Sequence, residues 1–120
     1  MKQIIILMSL LSTIFGLKTQ QNDFIKLLTS AEFKSQTENK KVQLIDVRTP
    51  KEYKSGHISG SKNIDFFSGK FIVEFNKLDK DKAVYVYCRS GSRSRQTAKK
   101  LTAMGFIEIY DLKGGILNYN

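Results

Sequence analysis

Several residue types are scarce in this sequence, and each scarcity excludes something. It has one cysteine, so no disulfide closes within the chain. With a single histidine as well, the usual Cys/His metal sites have too few ligands, and neither a metal nor another cofactor is expected. The one proline and eight glycines form no Pro/Gly linker, and no internal repeat or low-complexity stretch breaks the chain. At 120 residues this leaves one small domain with a single core. Lysine and arginine outnumber acidic residues 20 to 11, yet no block of five like charges occurs. A basic surface so dispersed steers anions weakly and makes no nucleic-acid groove, and no zinc-finger spacing, RNA-binding aromatic motif or helix-turn-helix pattern suggests one.

Long hydrophobic runs are also missing. Shortly after Met1-Lys2 comes an uncharged stretch, Ile4 to Phe15, in which only Ser9, Ser12 and Thr13 are polar. It is short for a membrane span but suits the apolar core of a signal peptide over residues 1–17. The expectation is export, to a periplasm, of a mature domain spanning 22–120 with no stable membrane span; retention of the leader would instead imply a cytoplasmic protein. The mature domain is expected to be a monomer.

What is present alternates in type. Phe24 to Leu28 reads as an edge strand, and Thr29-x-x-Glu32 is a capping box that starts a helix reaching about Glu38. Val42 to Val47 reads as a strand, and Pro50 opens a short helix through Lys54. Asn63-Ile64 is a minimal strand, whereas Phe66 to Leu78 carries apolar residues at helical spacing. Ala83 to Tyr87 reads as the central strand, Ser94 to Met104 as a helix stopped by Gly105, and Ile107 to Tyr110 as a further strand. This alternation predicts an α/β fold, a small mostly parallel sheet with helices on both faces. Ligands of such sheets sit outside the carboxyl ends of the strands.

The lone cysteine falls at such an end. Cys88-Arg89-Ser90-Gly91-Ser92-Arg93-Ser94 joins the central strand to a helix, and three of the four arginines (Arg89, Arg93, Arg95) surround the cysteine. Loop N–H groups and the positive end of the helix dipole converge there on an anion, which favours the thiolate, the nucleophilic form. An inert buried cysteine has no need of those arginines.

Three blocks of sequence resemble the single-domain rhodaneses, sulfurtransferases that carry a sulfane sulfur on a loop cysteine. They are Leu44 to Tyr53 followed by Gly56-His57-Ile58-x-Gly60-Ser61-x-Asn63-Ile64, then Cys88 to Ser94, then Tyr110 to Ile116. The resemblance runs from about Ile25 to Tyr119. It implies the rhodanese-like fold and a Cys88 persulfide, loaded by a small anionic donor such as thiosulfate and unloaded by a thiol or protein acceptor. Arg89, Ser90, Gly91, Ser92, Arg93 and Ser94 would bind the substrate, Gly91 supplying a positive φ, and one arginine would brace the loop against Asp46 or Glu52. Asp46 and Arg48 would support the loop, the first by satisfying backbone N–H groups and the second by pairing with a helix carboxylate. His57 would make a buried hydrogen bond away from the cysteine. Tyr119 stands where the family commonly has tryptophan.

Two other readings share the loop. Anion-loop phosphatases and arsenate reductases place five residues between cysteine and arginine; here four separate Cys88 from Arg93, and the phosphatase arginine position is Ser94. A rhodanese-like module that binds or carries sulfur without turnover is the third reading, and the intact cysteine and arginine-rich loop disfavour it.

Overall fold

The computed structural model describes residues 23–120, so the leader expected over 1–17 lies outside the described residues. Five strands form one sheet: β1 (Ile25–Leu28), β2 (Gln43–Asp46), β3 (Lys62–Asn63), β4 (Val84–Tyr87) and β5 (Ile109–Leu112). Their order is β1-β5-β4-β2-β3 and every pairing is parallel. The expected central strand is central and the expected edge strand is at an edge.

Helices fill the connections: α1 (Ser30–Thr37), α2 (Pro50–Lys54), α3 (Phe71–Phe75) and α4 (Ser92–Ala103), with a 3₁₀ turn at Ile116–Asn118. Both predicted starts behave as the sequence suggests. Thr29 and Glu32 form a complete capping box on α1, and Thr49 and Glu52 form one on α2 with Pro50 inside the first turn.

Side chains of a strand alternate between faces, and here both faces are covered. Ile45, Val47, Val84, Val86, Cys88 and Ile109 meet Ala98 and Leu101 of α4 and Phe71 and Phe75 of α3. Leu44, Tyr85, Tyr87 and Leu112 meet Phe33 of α1 on the opposite face. Tyr119 closes that second core edge-on against Phe33, with ring centroids 6.4 Å apart, in the place expected of a tryptophan.

Three elements depart from expectation by two residues or more. The helix over Phe66 to Leu78 shrinks to Phe71–Phe75. Before it, Phe66 N–H donates to the Val47 carbonyl, and the Asp65 carboxylate and Ser68 hydroxyl accept Phe67 and Lys70 N–H groups, so local bonds compete with the helix. α4 starts two residues early, at Ser92, because Gly91 takes φ +117° and turns the chain directly into it. β5 starts two residues late: Ile109 is the residue in register with Val84, and Ile107 stays half exposed.

Candidate active site

Cys88 lies one residue beyond β4, and the loop that follows folds back over its sulfur. Gly91 N–H reaches Sγ at 3.1 Å and Ser94 N–H reaches it at 3.3 Å. The thiol in turn donates to Ser94 Oγ at 3.5 Å. The first turn of a helix has N–H groups without helical partners, and here one of them serves the sulfur. Cys88 is 1% exposed, so the atom sits at the floor of the loop, with Arg89 and Ser90 exposed above it.

The carboxyl-terminal segment holds this loop from behind. Ile116 N–H donates to the Cys88 carbonyl at 2.9 Å, and Leu117 N–H donates to the Arg89 carbonyl at 3.2 Å. Gly115 makes the approach feasible: a Cβ on it would overlap the Arg89 carbonyl and lie 2.6 Å from Ser90 N. Thus the Gly-Gly motif, remote in sequence, is the seat of the cysteine loop.

Arg93 is the arginine that braces. Its guanidinium makes a fork-to-fork pair with Glu52 of α2, at 2.8 and 3.0 Å. Arg93 together with the Thr49 cap holds the Glu52 carboxyl far below the ordinary range, at about 2. With both prongs engaged, Arg93 is not free to grip a substrate as expected; Arg89 is exposed, and so is Arg95, two residues further along α4. Phe67, 69% exposed, sits 5.9 Å from the Arg93 guanidinium and gives the rim an apolar side.

The supporting residues of β2 differ in detail from expectation. Asp46 accepts Arg48 N–H at 2.9 Å, as a loop-satisfying carboxylate should. Arg48, however, pairs with Asp46 itself rather than a helix carboxylate, at 2.7 Å, and its second bond goes to the Gly56 carbonyl at 2.6 Å. Glu52, the carboxylate of α2, is taken by Arg93. Both are buried, so each charge is tolerated only because the other is present. His57 is exposed rather than buried: its ring stacks on Tyr53 at 3.7 Å, and Nδ1 contacts the Tyr53 carbonyl at 2.8 Å. Tyr87, expected only as the last residue of the central strand, anchors this region by accepting Ile58 N–H and bonding Ser61 Oγ. Its aromatic place in an apolar strand gave no sign of the hydroxyl's task. Among the described residues no cluster of His, Cys, Asp and Glu could hold a metal ion.

Comparison with known proteins identifies the family that the fold belongs to. A family model, the rhodanese-like domain, matches residues 29–120. The chain belongs to the rhodanese-like family. It is 43% identical over 95 residues to the uncharacterized protein YqhL of Bacillus subtilis, covering 79% of this chain and 72% of that protein. It is 32% identical over 91 residues to the thiosulfate sulfurtransferase GlpE of Shewanella oneidensis, covering 75% and 87%. The crystal structure of a rhodanese-like domain protein from Staphylococcus aureus superposes with a TM-score of 0.69 at 31% identity, covering 79% of this chain and 91% of that one. Some relatives are much longer: the chain spans 31% of the tRNA uridine(34) hydroxylase of Buchnera aphidicola. The rhodanese-like fold thus carries Cys88 at a strand end, a short loop around its sulfur and a Gly-Gly seat beneath.

Proposed function

We propose that this protein is a sulfurtransferase that moves a sulfane sulfur from a small anionic donor such as thiosulfate to a thiol or protein acceptor. The observation that carries the reading is the convergence of two backbone N–H groups on Cys88 Sγ, inside a loop with four residues between Cys88 and Arg93. Such fixed donors stabilise negative charge on sulfur without reorganising. The similarity to a thiosulfate sulfurtransferase supports the same reading.

In this scheme the Cys88 thiolate attacks the outer sulfur of thiosulfate. A bond forms from Sγ to that sulfur, the donor's S–S bond breaks, and sulfite leaves with the electron pair. An acceptor thiolate then attacks the outer sulfur of the persulfide and Cys88 leaves as thiolate. Arg89, exposed on the loop, attracts the anionic donor. Ser90, Ser92 and Ser94 line the loop, and Gly91 lets it close.

Intact mass measurement tests the scheme. Thiosulfate should add one sulfur atom to the protein and cyanide should remove it as thiocyanate, while Cys88→Ser keeps the fold and takes up none. A protein that stays at its unmodified mass across a wide donor range, or that hydrolyses aryl phosphates faster than it forms thiocyanate, would refute it.

A further inference from the structure

A cavity of about 250 Å³ lies at the free edge of the sheet, between β1 and α4. Ile25 and Leu27 of β1 form one wall; two residues apart, they share a face of the strand. Their register partners on β5 are Ile109 and Asp111. Arg95, Ala98 and Lys99, at helical spacing on α4, form the other wall. Ala98 and Asp111 are buried, whereas Leu27, Arg95 and Lys99 are exposed. The cavity therefore has an apolar interior with one carboxyl in it and a rim with two cations. Asp111 is 3% exposed, and its Oδ1 accepts no hydrogen bond from any described residue.

A buried carboxyl with an unused acceptor is costly. The rim does not relieve it, because neither Arg95 nor Lys99 forms an ion pair among the described residues. Water is a poor filler: it needs two or more polar partners, and the side chains of Ile25, Leu27 and Ala98 offer none. A metal ion is no better served, since no described cluster of His, Cys, Asp and Glu could hold one. Negative charge inside, positive charge at the rim and hydrocarbon between them complement a molecule built in the opposite order.

We propose that this cavity is a binding site for a small ω-amino acid, its ammonium on Asp111, its methylene chain along Ile25, Leu27 and Ala98, and its carboxylate at Arg95 and Lys99. The three parts carry unequal weight. The ammonium gives the buried carboxylate a hydrogen-bonded counter-charge, and charge-assisted bonds of this kind are the strong ones. The chain removes apolar surface from water. The rim contacts are exposed to solvent and contribute least. An α-amino acid carries both charges on one carbon and cannot present them at opposite ends of the walls. At about 250 Å³ the space is below the roughly 300 Å³ at which pockets for drug-sized ligands begin, so the guest is short.

Titration of the nitrogen-15-labelled protein with 6-aminohexanoate at neutral pH, followed through the amide NMR signals, reads the site. Amides of β1, β5 and the first half of α4 should shift together and saturate with one dissociation constant. Hexanoate, which lacks the ammonium, should bind about tenfold more weakly, the loss of one charge-assisted bond. Hexylamine, which lacks the carboxylate, should bind about threefold more weakly. Norleucine, with both charges on one carbon, should bind no better than hexanoate. Asp111→Asn should weaken 6-aminohexanoate about tenfold and erase its advantage over hexanoate. Leu27→Trp, at an exposed position, should fill the mouth and abolish the shifts while leaving Asp111 in place. Equal affinity for hexanoate and 6-aminohexanoate overturns the proposal, as do shifts that never saturate or that fall on other elements, and none of these outcomes needs a variant to fold. The measurement does not involve Cys88, so its result is independent of whether the protein transfers sulfur.

Discussion

Two arginines in one loop have been given different work by their neighbours. Arg93 spends both faces of its fork on Glu52, while Arg89 keeps its charge in solvent. Arg89→Ala should therefore raise the KM for thiosulfate about tenfold, the loss of one charge-assisted contact, with a smaller change in kcat. Steady-state kinetics over a range of thiosulfate decide it, an unchanged KM being the contrary result. Glu52→Gln should act through the fold instead. Because the Glu52 carboxyl is held at about 2 in the folded chain against an ordinary value of 4.5, its stabilisation is present above pH 4.5 and fades as pH falls toward 2. The pair is partly exposed, so the variant should lose about 1 kcal/mol at pH 7. Urea unfolding should show that deficit shrinking below pH 4.

The cysteine loop belongs to three elements at once: β4 delivers it, α4 receives it and the segment after β5 holds its back. Sequence shows the first two directly, because an apolar run ends at Cys88 and a helical pattern follows it. The third is visible only as a Gly-Gly motif, whose meaning depends on which strand lies beside β4. Gly115 also has φ +67°, so a side chain there is strained as well as obstructed. Gly115→Ala should push the Arg89 peptide outward and break the Ile116 and Leu117 bonds to the loop. The expected result is a loss of about 2 kcal/mol or more in stability together with most of the activity. Thermal unfolding and thiocyanate formation check both, and a fully active, fully stable variant would show that the seat is dispensable. α3 marks the limit of periodicity. Phe67, Phe71, Phe75 and Leu78 are spaced as a helix, yet Asp65 and Ser68 bind nearby backbone first, and Phe67 is left on the rim.

At the scale of the whole molecule, strand and helix alternation made the parallel sheet legible, and ligand placement at its carboxyl edge followed from the sheet. Parallel strands read as apolar runs because both faces are covered, which is why Val84 to Tyr87 stood out. The same property hid Asp111. In sequence it is one polar residue beside Tyr110 and Leu112, indistinguishable from a strand-end loop residue; only the sheet register shows that it sits between Val86 and Leu27 with α4 above it. Such a carboxyl destabilises the fold once ionised. Its folded pKa, about 6, lies above the ordinary 3.8, so the folded state holds a proton that the unfolded chain has released. Stability contributed by that proton is complete below pH 3.8 and is lost as pH rises through 6. Asp111→Asn keeps the shape and never ionises. It should unfold like wild type near pH 3.5 and be more stable above pH 7, by at most about 3 kcal/mol for a shift of this size. Thermal or urea unfolding at the two pH values measures the difference. A variant equally stable at high pH would mean that the carboxyl is not the buried charge described.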